Sequence, residues 1–155
     1  MSTYILAFLI GIVVGLRCMT PPAALSWAAR FGWLHLENTP LAFLAFAATP
    51  YIFTFLAIAE LVNDKLPKAA SRKAPLGFTA RVVSGGFCGA ALGASHQMLV
   101  GGMVVGVAGG LVGMFGGYEF RALLVKAIGG KDLPIALLED AMAICGAVLI
   151  VSQFS

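Results

Sequence analysis

The sequence predicts an all-α membrane protein with five transmembrane helices and one short interfacial or re-entrant helix. Of its 155 residues, 60% are hydrophobic and 11% are charged, whereas soluble domains carry roughly 25% charged residues. The hydrophobic residues form long runs of about the length that a helix needs to cross a bilayer core. The net charge of +3 is scattered between these runs and does not indicate nucleic-acid binding. We therefore predict a single polytopic membrane domain over residues 1–155.

A proline pair separates the first span from the short helix. The residue before a proline disfavours helical geometry, and proline is well tolerated in the first turn of a helix, so Thr20-Pro21-Pro22 indicates a helix start. The helix that follows is too short to span and carries Trp27 and Trp33, a residue type that favours membrane interfaces. The predicted spans cover residues 3–19, 40–62, 76–95, 98–118 and 133–154, and the short helix covers residues 21–35.

The second predicted span contains a proline at its centre, in the pair Thr49-Pro50. Proline has no backbone N–H and frees a carbonyl one turn earlier. The sequence therefore predicts a kink in the middle of this span.

Glycines repeat at four-residue spacing along the third and fourth spans. Such stripes allow helix backbones to approach closely in lipid, where association depends on van der Waals contact. They predict that these helices are packed as a glycine zipper. The repeats are Gly85, Gly89 and Gly93, then Gly102, Gly106 and Gly110, and then Gly109, Gly113 and Gly117.

The last span contains two adjacent carboxylates, Glu139 and Asp140. The uncharged stretch after them, 141–155, would form roughly 22 Å of helix, which is shorter than a bilayer core of about 30 Å. The acids must therefore enter the bilayer with the helix, where exposure to lipid would cost about 2.5–3.5 kcal/mol each at the centre. We predict that both side chains face protein or water.

The distribution of lysine and arginine predicts the orientation. Five basic residues follow the second span and three follow the fourth, whereas only Arg17 and Arg30 lie between the first and second spans. The positive-inside rule then puts the N-terminus in the cytoplasm and the C-terminus outside. Spans one and two would also resemble spans four and five entered from the opposite side, an inverted repeat of the transporter type. The basic residues after the second and fourth spans are Lys65, Lys68, Arg72, Lys73, Arg81, Arg121, Lys126 and Lys131.

This orientation collects acids and bases from several helices at the cytoplasmic edge of the bilayer. One interpretation is a network of ion pairs that holds the helices together. The other is a polar vestibule or a proton-coupled ion site. The predicted cluster consists of Glu60, Asp64, Arg81, Glu119, Arg121, Glu139 and Asp140.

Arg17 is predicted on the outer side, beside the break between the first span and the short helix. It could bind an anion or a lipid headgroup there, or it could extend to the interface. His35 and His96, on the same side, lack the ligand pattern of a metal site.

The remaining motifs indicate neither an enzyme nor a cofactor-binding protein. Cys18, Cys88 and Cys145 are isolated from one another and are predicted to be small buried residues. No nucleophile elbow, phosphate-binding loop, zinc-protease motif or dinucleotide fingerprint occurs in the sequence.

Several short motifs resemble a known family. The chain carries Gly15-Leu16-Arg17 with Thr20-Pro21-Pro22, Ala59-Glu60-Leu61 running into Asp64-Lys65-Leu66-Pro67, Arg81 before the glycine stripe, and Ala136-Leu137-Leu138-Glu139-Asp140-Ala141. With these motifs it resembles the bacterial family of small integral membrane proteins catalogued as domain of unknown function 4126. The resemblance implies a multi-pass protein of the bacterial cytoplasmic (inner) membrane and assigns no activity to it.

We expect the protein to be a transporter or channel for a small ion or solute. The alternative is a structural or assembly protein that binds lipid or partner subunits without transport. A chain of 155 residues encloses little pathway alone, so we also expect a homo-oligomer.

Overall fold

The computed structural model describes residues 2–66 and 74–155, and this part of the chain is all-helical. The predicted all-α fold class is thereby confirmed. Lys68, Arg72 and Lys73 of the predicted basic loop, and Pro67 of the family motif, lie outside the described residues. The helices are α1 (Thr3–Leu16), α2 (Thr20–Arg30), a 3-10 turn (Ala42–Ala45), α3 (Thr49–Asn63), α4 (Pro75–Ala94), α5 (Leu99–Ala127) and α6 (Leu133–Ser152).

Within the described residues, two helices are long and apolar enough to cross a membrane, namely α5 and α6. The helices α1 and α3 are also apolar, but they have 14 and 15 residues, and a bilayer core needs about 20. The five transmembrane helices predicted from the sequence are therefore not confirmed.

Proline residues begin four of the helices, as their chemistry favours. Pro21, Pro50, Pro75 and Pro134 each lie within the first two helical residues, where the missing N–H has no intrahelical partner to lose. The predicted kink at Thr49-Pro50 is therefore wrong. The helix begins at that position, and the preceding residues form a separate 3-10 turn.

Helix α5 extends beyond the predicted span of 98–118 and ends at Ala127. The nine residues after Tyr118 contain neither glycine nor proline, so nothing in them breaks the helix. The break comes at Gly129 and Gly130, with φ angles of +83° and +89°. The Gly130 amide donates to the Val125 carbonyl at 2.8 Å, which closes the end of the helix.

Helices α1, α4 and α5 form the tightest part of the bundle, because they meet at glycines. A Cβ atom at Gly89 of α4 would lie 2.2 Å from the Gly102 carbonyl oxygen of α5. One at Gly15 of α1 would lie 2.3 Å from the Met114 amide nitrogen. Side chains at these positions would force the backbones apart.

The same contacts give the direction of α1. Tyr4 near its start meets Gly101, and Gly15 near its end meets Met114. Helices α1 and α5 therefore run parallel. The inverted repeat considered from the sequence required them to enter from opposite sides, so the structure does not contain it in that form.

Helix α2 is a core element, whereas the sequence predicted it to be interfacial or re-entrant. Leu25 is fully buried, and Leu34 and Leu36 beyond the helix are 1% exposed. On its other side, the Trp27 indole N–H donates to the Thr54 hydroxyl of α3 at 3.0 Å. The chain leaves α1 at Arg17 and is back beside Thr3 by residue 35, since His35 and Thr3 line one cavity. The segment 20–36 thus crosses the length of the bundle.

The bundle has two chemically different ends. The histidine end, as we name it, contains Thr3, Trp33, His35, His96 and Phe154, which line a common cavity. The arginine end contains Arg17, Asp64, Arg81, Arg121 and Asp140. Because Thr3 and Phe154 line the same cavity, the start of α1 and the end of α6 lie at the same end of the bundle. The sequence predicted these two helix ends on opposite sides of the membrane, because segment 20–36 was not counted as a crossing.

Candidate functional site

Arg17 is the centre of the arginine end. The chain is extended at this residue, with φ −138° and ψ 119°, because it follows the last turn of α1 and precedes α2. Its side chain is completely buried and forms ion pairs with Asp64, at the end of α3, and Asp140, in α6. A buried guanidinium requires such partners, because an isolated charge in a protein interior is strongly destabilising.

Asp140 is shared between two cations. Besides pairing with Arg17, its carboxylate lies 2.5 Å from the Lys65 ammonium nitrogen, which also donates to the Leu61 carbonyl at 3.1 Å. The charges alternate in the order Asp64, Arg17, Asp140, Lys65. We call these four side chains the Arg17 cluster. They connect the end of α1 to α3 and α6.

Glu60 fixes the backbone on which Arg17 stands. Its two carboxylate oxygens accept hydrogen bonds from the Cys18 and Met19 amides, each at 2.8 Å. These amides lie between α1 and α2, outside both helices, and would otherwise need water. Glu60 lies one helical turn before Asp64, so the two side chains lie on the same face of α3. Glu60 binds the main chain between α1 and α2, and Asp64 binds the Arg17 side chain.

Arg81 binds carbonyl oxygens. It is 6% exposed, and its Nε and Nη1 atoms donate to the carbonyls of Gly15 and Gly77, both at 3.1 Å. The Gly15 carbonyl belongs to the last turn of α1, where four carbonyls have no intrahelical donor. Arg81 therefore stabilises the end of the helix that presents Arg17.

A second group of ion pairs links α5 to α6. Arg121 binds both oxygens of Asp132 at 2.9 and 2.6 Å and approaches Glu139 at 3.2 Å. The first contact has the bidentate geometry that suits guanidinium and carboxylate. Glu139 is 7% exposed, so its partner keeps a buried charge neutralised.

A cavity of about 400 Å³ opens beside these charges. Its lining includes Cys18, Glu60, Asp64, Gly77 and Arg81. Among the described residues, no hydrogen bond reaches the Arg17 Nε or the Thr20 hydroxyl oxygen, which belong to the neighbours in sequence of the lining residues Cys18 and Met19. The exposed lining is mainly apolar, and Glu60, Asp64 and Arg81 supply its charged groups. An ion or solute that enters the cavity would meet these three side chains.

The structure separates the predicted site residues into three sets. Asp64 and Asp140 meet at Arg17, with Glu60 beside them. Arg121 pairs with Glu139. Arg81 is connected to the Arg17 cluster by its hydrogen bond to the Gly15 carbonyl. Glu119 is exposed, and no hydrogen bond or ion pair within residues 2–66 and 74–155 connects it to the others.

The sequence predicted Arg17 on the opposite side from the acids, against an anion or lipid headgroup, whereas the structure pairs it with Asp64 and Asp140. It lies at the same end as the acids, because segment 20–36 returns the chain to the histidine end before α3 begins. The predicted cluster did not include Lys65, which was assigned only to the basic loop, or Asp132. The sequence contained one signal for each residue, namely its position: Lys65 follows Asp64, and Asp132 immediately precedes α6.

The cysteines and histidines lie apart from this site, with one exception. Cys18 donates its thiol to the Ala80 carbonyl or the Ser84 hydroxyl, at 3.3 and 3.1 Å. Cys88 is buried as predicted, but Cys145 is exposed on α6, which corrects the prediction for that residue. In the described part of the chain, no three histidine, cysteine or carboxylate side chains are placed to hold a metal ion.

Comparison with known proteins supports the family and provides no activity. No curated protein and no solved structure matches the chain. Residues 5–153 match the family described as domain of unknown function (DUF4126). Because this match covers nearly the entire chain, the protein belongs to the DUF4126 family, which confirms the resemblance drawn from its sequence motifs.

Proposed function

We propose that the protein is a small multi-pass membrane protein that passes a small ion or solute along the Arg17 cluster. The observation that supports this most is the burial of Arg17 between Asp64 and Asp140 beside a cavity of about 400 Å³. Charged side chains inside membrane domains are costly, and they typically mark ion or substrate paths.

The outer surface of the bundle supports a location in lipid. Large apolar side chains are exposed on several helices, with 71% exposure for Phe55, 82% for Leu76 and 64% for Leu149. Soluble monomers rarely expose continuous apolar surface on this scale. In this proposal α1, α3, α4, α5 and α6 cross a bacterial inner membrane, as predicted, and segment 20–36 is a further crossing.

The orientation follows from the charges at the two ends. Lys65, Arg81, Arg121 and Lys126 lie toward the arginine end, whereas Arg30 is the basic residue near the histidine end. By the positive-inside rule the arginine end faces the cytoplasm. Thr3 and Phe154 then both lie on the outer side, which replaces the predicted cytoplasmic N-terminus.

Asp140 is the residue through which passage is coupled to a change of structure. Its carboxylate holds both Arg17 and Lys65. A proton or a cation that neutralises this carboxylate weakens both ion pairs, which frees Arg17 for an anion or opens the contact between α1 and α6. Since one chain encloses little pathway, we include a homo-oligomer in the proposal.

A flux measurement tests this function. Purified protein in proteoliposomes, with a trapped pH-sensitive dye and a potassium diffusion potential, should move protons faster than protein-free liposomes. Asp140→Asn should lose this flux while the helix content and the gel-filtration profile are kept. Glu37→Gln, at an exposed residue of the opposite end, is the matched control and should retain it. Equal rates of proton movement in liposomes with and without the protein would contradict proton flux through it.

A structural or assembly role is the second candidate, and the ion pairs favour it specifically. They connect α1, α3, α5 and α6 with acid and base in alternation, which is also what a bundle clamp requires. In that case the wild-type protein shows no flux, and Asp140→Asn changes stability alone. Measuring both quantities on the same preparation separates the two roles.

A further inference from the structure

The chain has two histidines, and both line one cavity at the histidine end. This cavity measures about 310 Å³ and lies at the opposite end from the Arg17 cluster. His35 comes from the segment after α2, and His96 from the turn between α4 and α5. The fold thus brings together two imidazoles that are far apart in sequence. The lining consists of Thr3, Leu6, Trp33, His35, Ser95, His96, Gln153 and Phe154.

His96 contacts the protein through one of its ring nitrogens. The Ser95 hydroxyl oxygen lies 2.7 Å from the Leu92 carbonyl oxygen and 3.0 Å from His96 Nδ1. The described residues supply Nε2 with no hydrogen bond, so this nitrogen is available to a ligand. A doubly protonated imidazole donates from both nitrogens.

The rest of the lining favours an anion. None of the described residues that line the cavity is acidic, and its only titratable side chains are the two histidines. Glu37, the nearest acid in sequence to His35, is exposed and not part of the lining.

The cavity also has an apolar side. Leu6, Trp33 and Phe154 line it, and the Phe154 ring stands edge-on to the His96 ring at a centroid distance of 5.5 Å. A ligand that suits both sides of the cavity has one anionic group and a small apolar body. The cavity volume of about 310 Å³ is at the lower end for small-molecule sites, so the ligand must be small.

We propose that this cavity binds a small organic carboxylate together with one proton. The proton from solvent binds His96 Nε2, and the resulting imidazolium donates to the carboxylate. His35 supplies a second donor, and the three apolar residues hold the body of the ligand. This site is independent of the function proposed for the Arg17 cluster, because its residues, its ligand and its test differ.

Calorimetry with benzoate tests the site on the full-length protein in detergent. Titrations in two buffers of different ionisation enthalpy measure the protons taken up, and protein-free micelles provide the background. We expect uptake of about one proton per benzoate. The affinity should then rise as the pH falls. Benzylamine, which carries the same ring with a positive charge, should not bind.

Variants assign the proton to its residue. His96→Gln keeps a polar side chain but should lose both the proton uptake and the pH dependence. His35→Gln should weaken binding and keep the uptake. Glu37→Gln is the control and should bind as the wild type does. Equal binding of benzylamine, undetectable binding of benzoate, or proton uptake that persists in His96→Gln would each overturn the proposal.

Discussion

Arg17 and Asp140 form an ion pair in the interior of the bundle, with 0% and 10% of their side-chain surfaces exposed. The pair joins the first residue after α1 to the second turn of α6. Removing one member of such a pair leaves the other as an unpartnered buried charge, which typically costs 3–5 kcal/mol.

Replacing Arg17 by methionine should lower the free energy of unfolding by about 4 kcal/mol, because Asp64 and Asp140 would face each other without the guanidinium. The measurement is reversible unfolding in mixed detergent micelles, followed by helix circular dichroism. Arg30→Met, at an exposed arginine, should change the same quantity by less than about 0.5 kcal/mol. An equal loss in the two variants would mean that Arg17 is not a buried partner.

Glu60 should be needed for its two amide contacts more than for its charge. Glu60→Ala leaves the Cys18 and Met19 amides without their acceptors and should cost about 2 kcal/mol. Glu60→Gln keeps one carbonyl oxygen and should cost about half as much. The same unfolding assay applies, and a glutamine variant as unstable as the alanine variant would show that the charge is what matters.

The contact between α4 and α5 predicts opposite effects for two glycines. Gly89→Ala places a methyl group 2.2 Å from the Gly102 carbonyl oxygen, and separating the helices should cost about 3 kcal/mol. Gly116→Ala lies on the open face of α5, where a Cβ meets nothing within 4 Å. It should be neutral or raise stability by up to about 1 kcal/mol, because alanine favours helix. Similar effects at the two sites would contradict the packing.

Much of α6 could be predicted from the sequence. The uncharged stretch after Asp140 is too short to span alone, which required the acids to lie within the span. The structure buries Ala136, Glu139, Asp140 and Ala143 on one face. This burial agrees with the prediction that both acids face protein or water, which followed from a length limit, a local property of the chain.

The partners of these acids could not be predicted in the same way. Whether Arg17 lies beside Asp140 depends on how many times the chain crosses the bundle between them. That number depends on segment 20–36, because the short helix predicted over residues 21–35 was judged too short to cross. A non-helical continuation advances further per residue than a helix does. Hydropathy does not reveal this, so the error moved Arg17 to the wrong end.

Labelling of single cysteines tests the number of crossings. In a variant with Cys18, Cys88 and Cys145 replaced by alanine, cysteine is introduced at Ser2, Glu37, Lys126 or Ser155. We expect a membrane-impermeant maleimide to label the Ser2→Cys, Glu37→Cys and Ser155→Cys variants from outside intact inner-membrane preparations. Lys126→Cys, near the arginine end, should react only after the membrane is opened, because the positive-inside rule retains that end in the cytoplasm. The five-span arrangement instead puts residues 2 and 155 on opposite sides. Labelling of only one of these two variants from outside would therefore exclude the crossing by segment 20–36 and restore the arrangement predicted from the sequence.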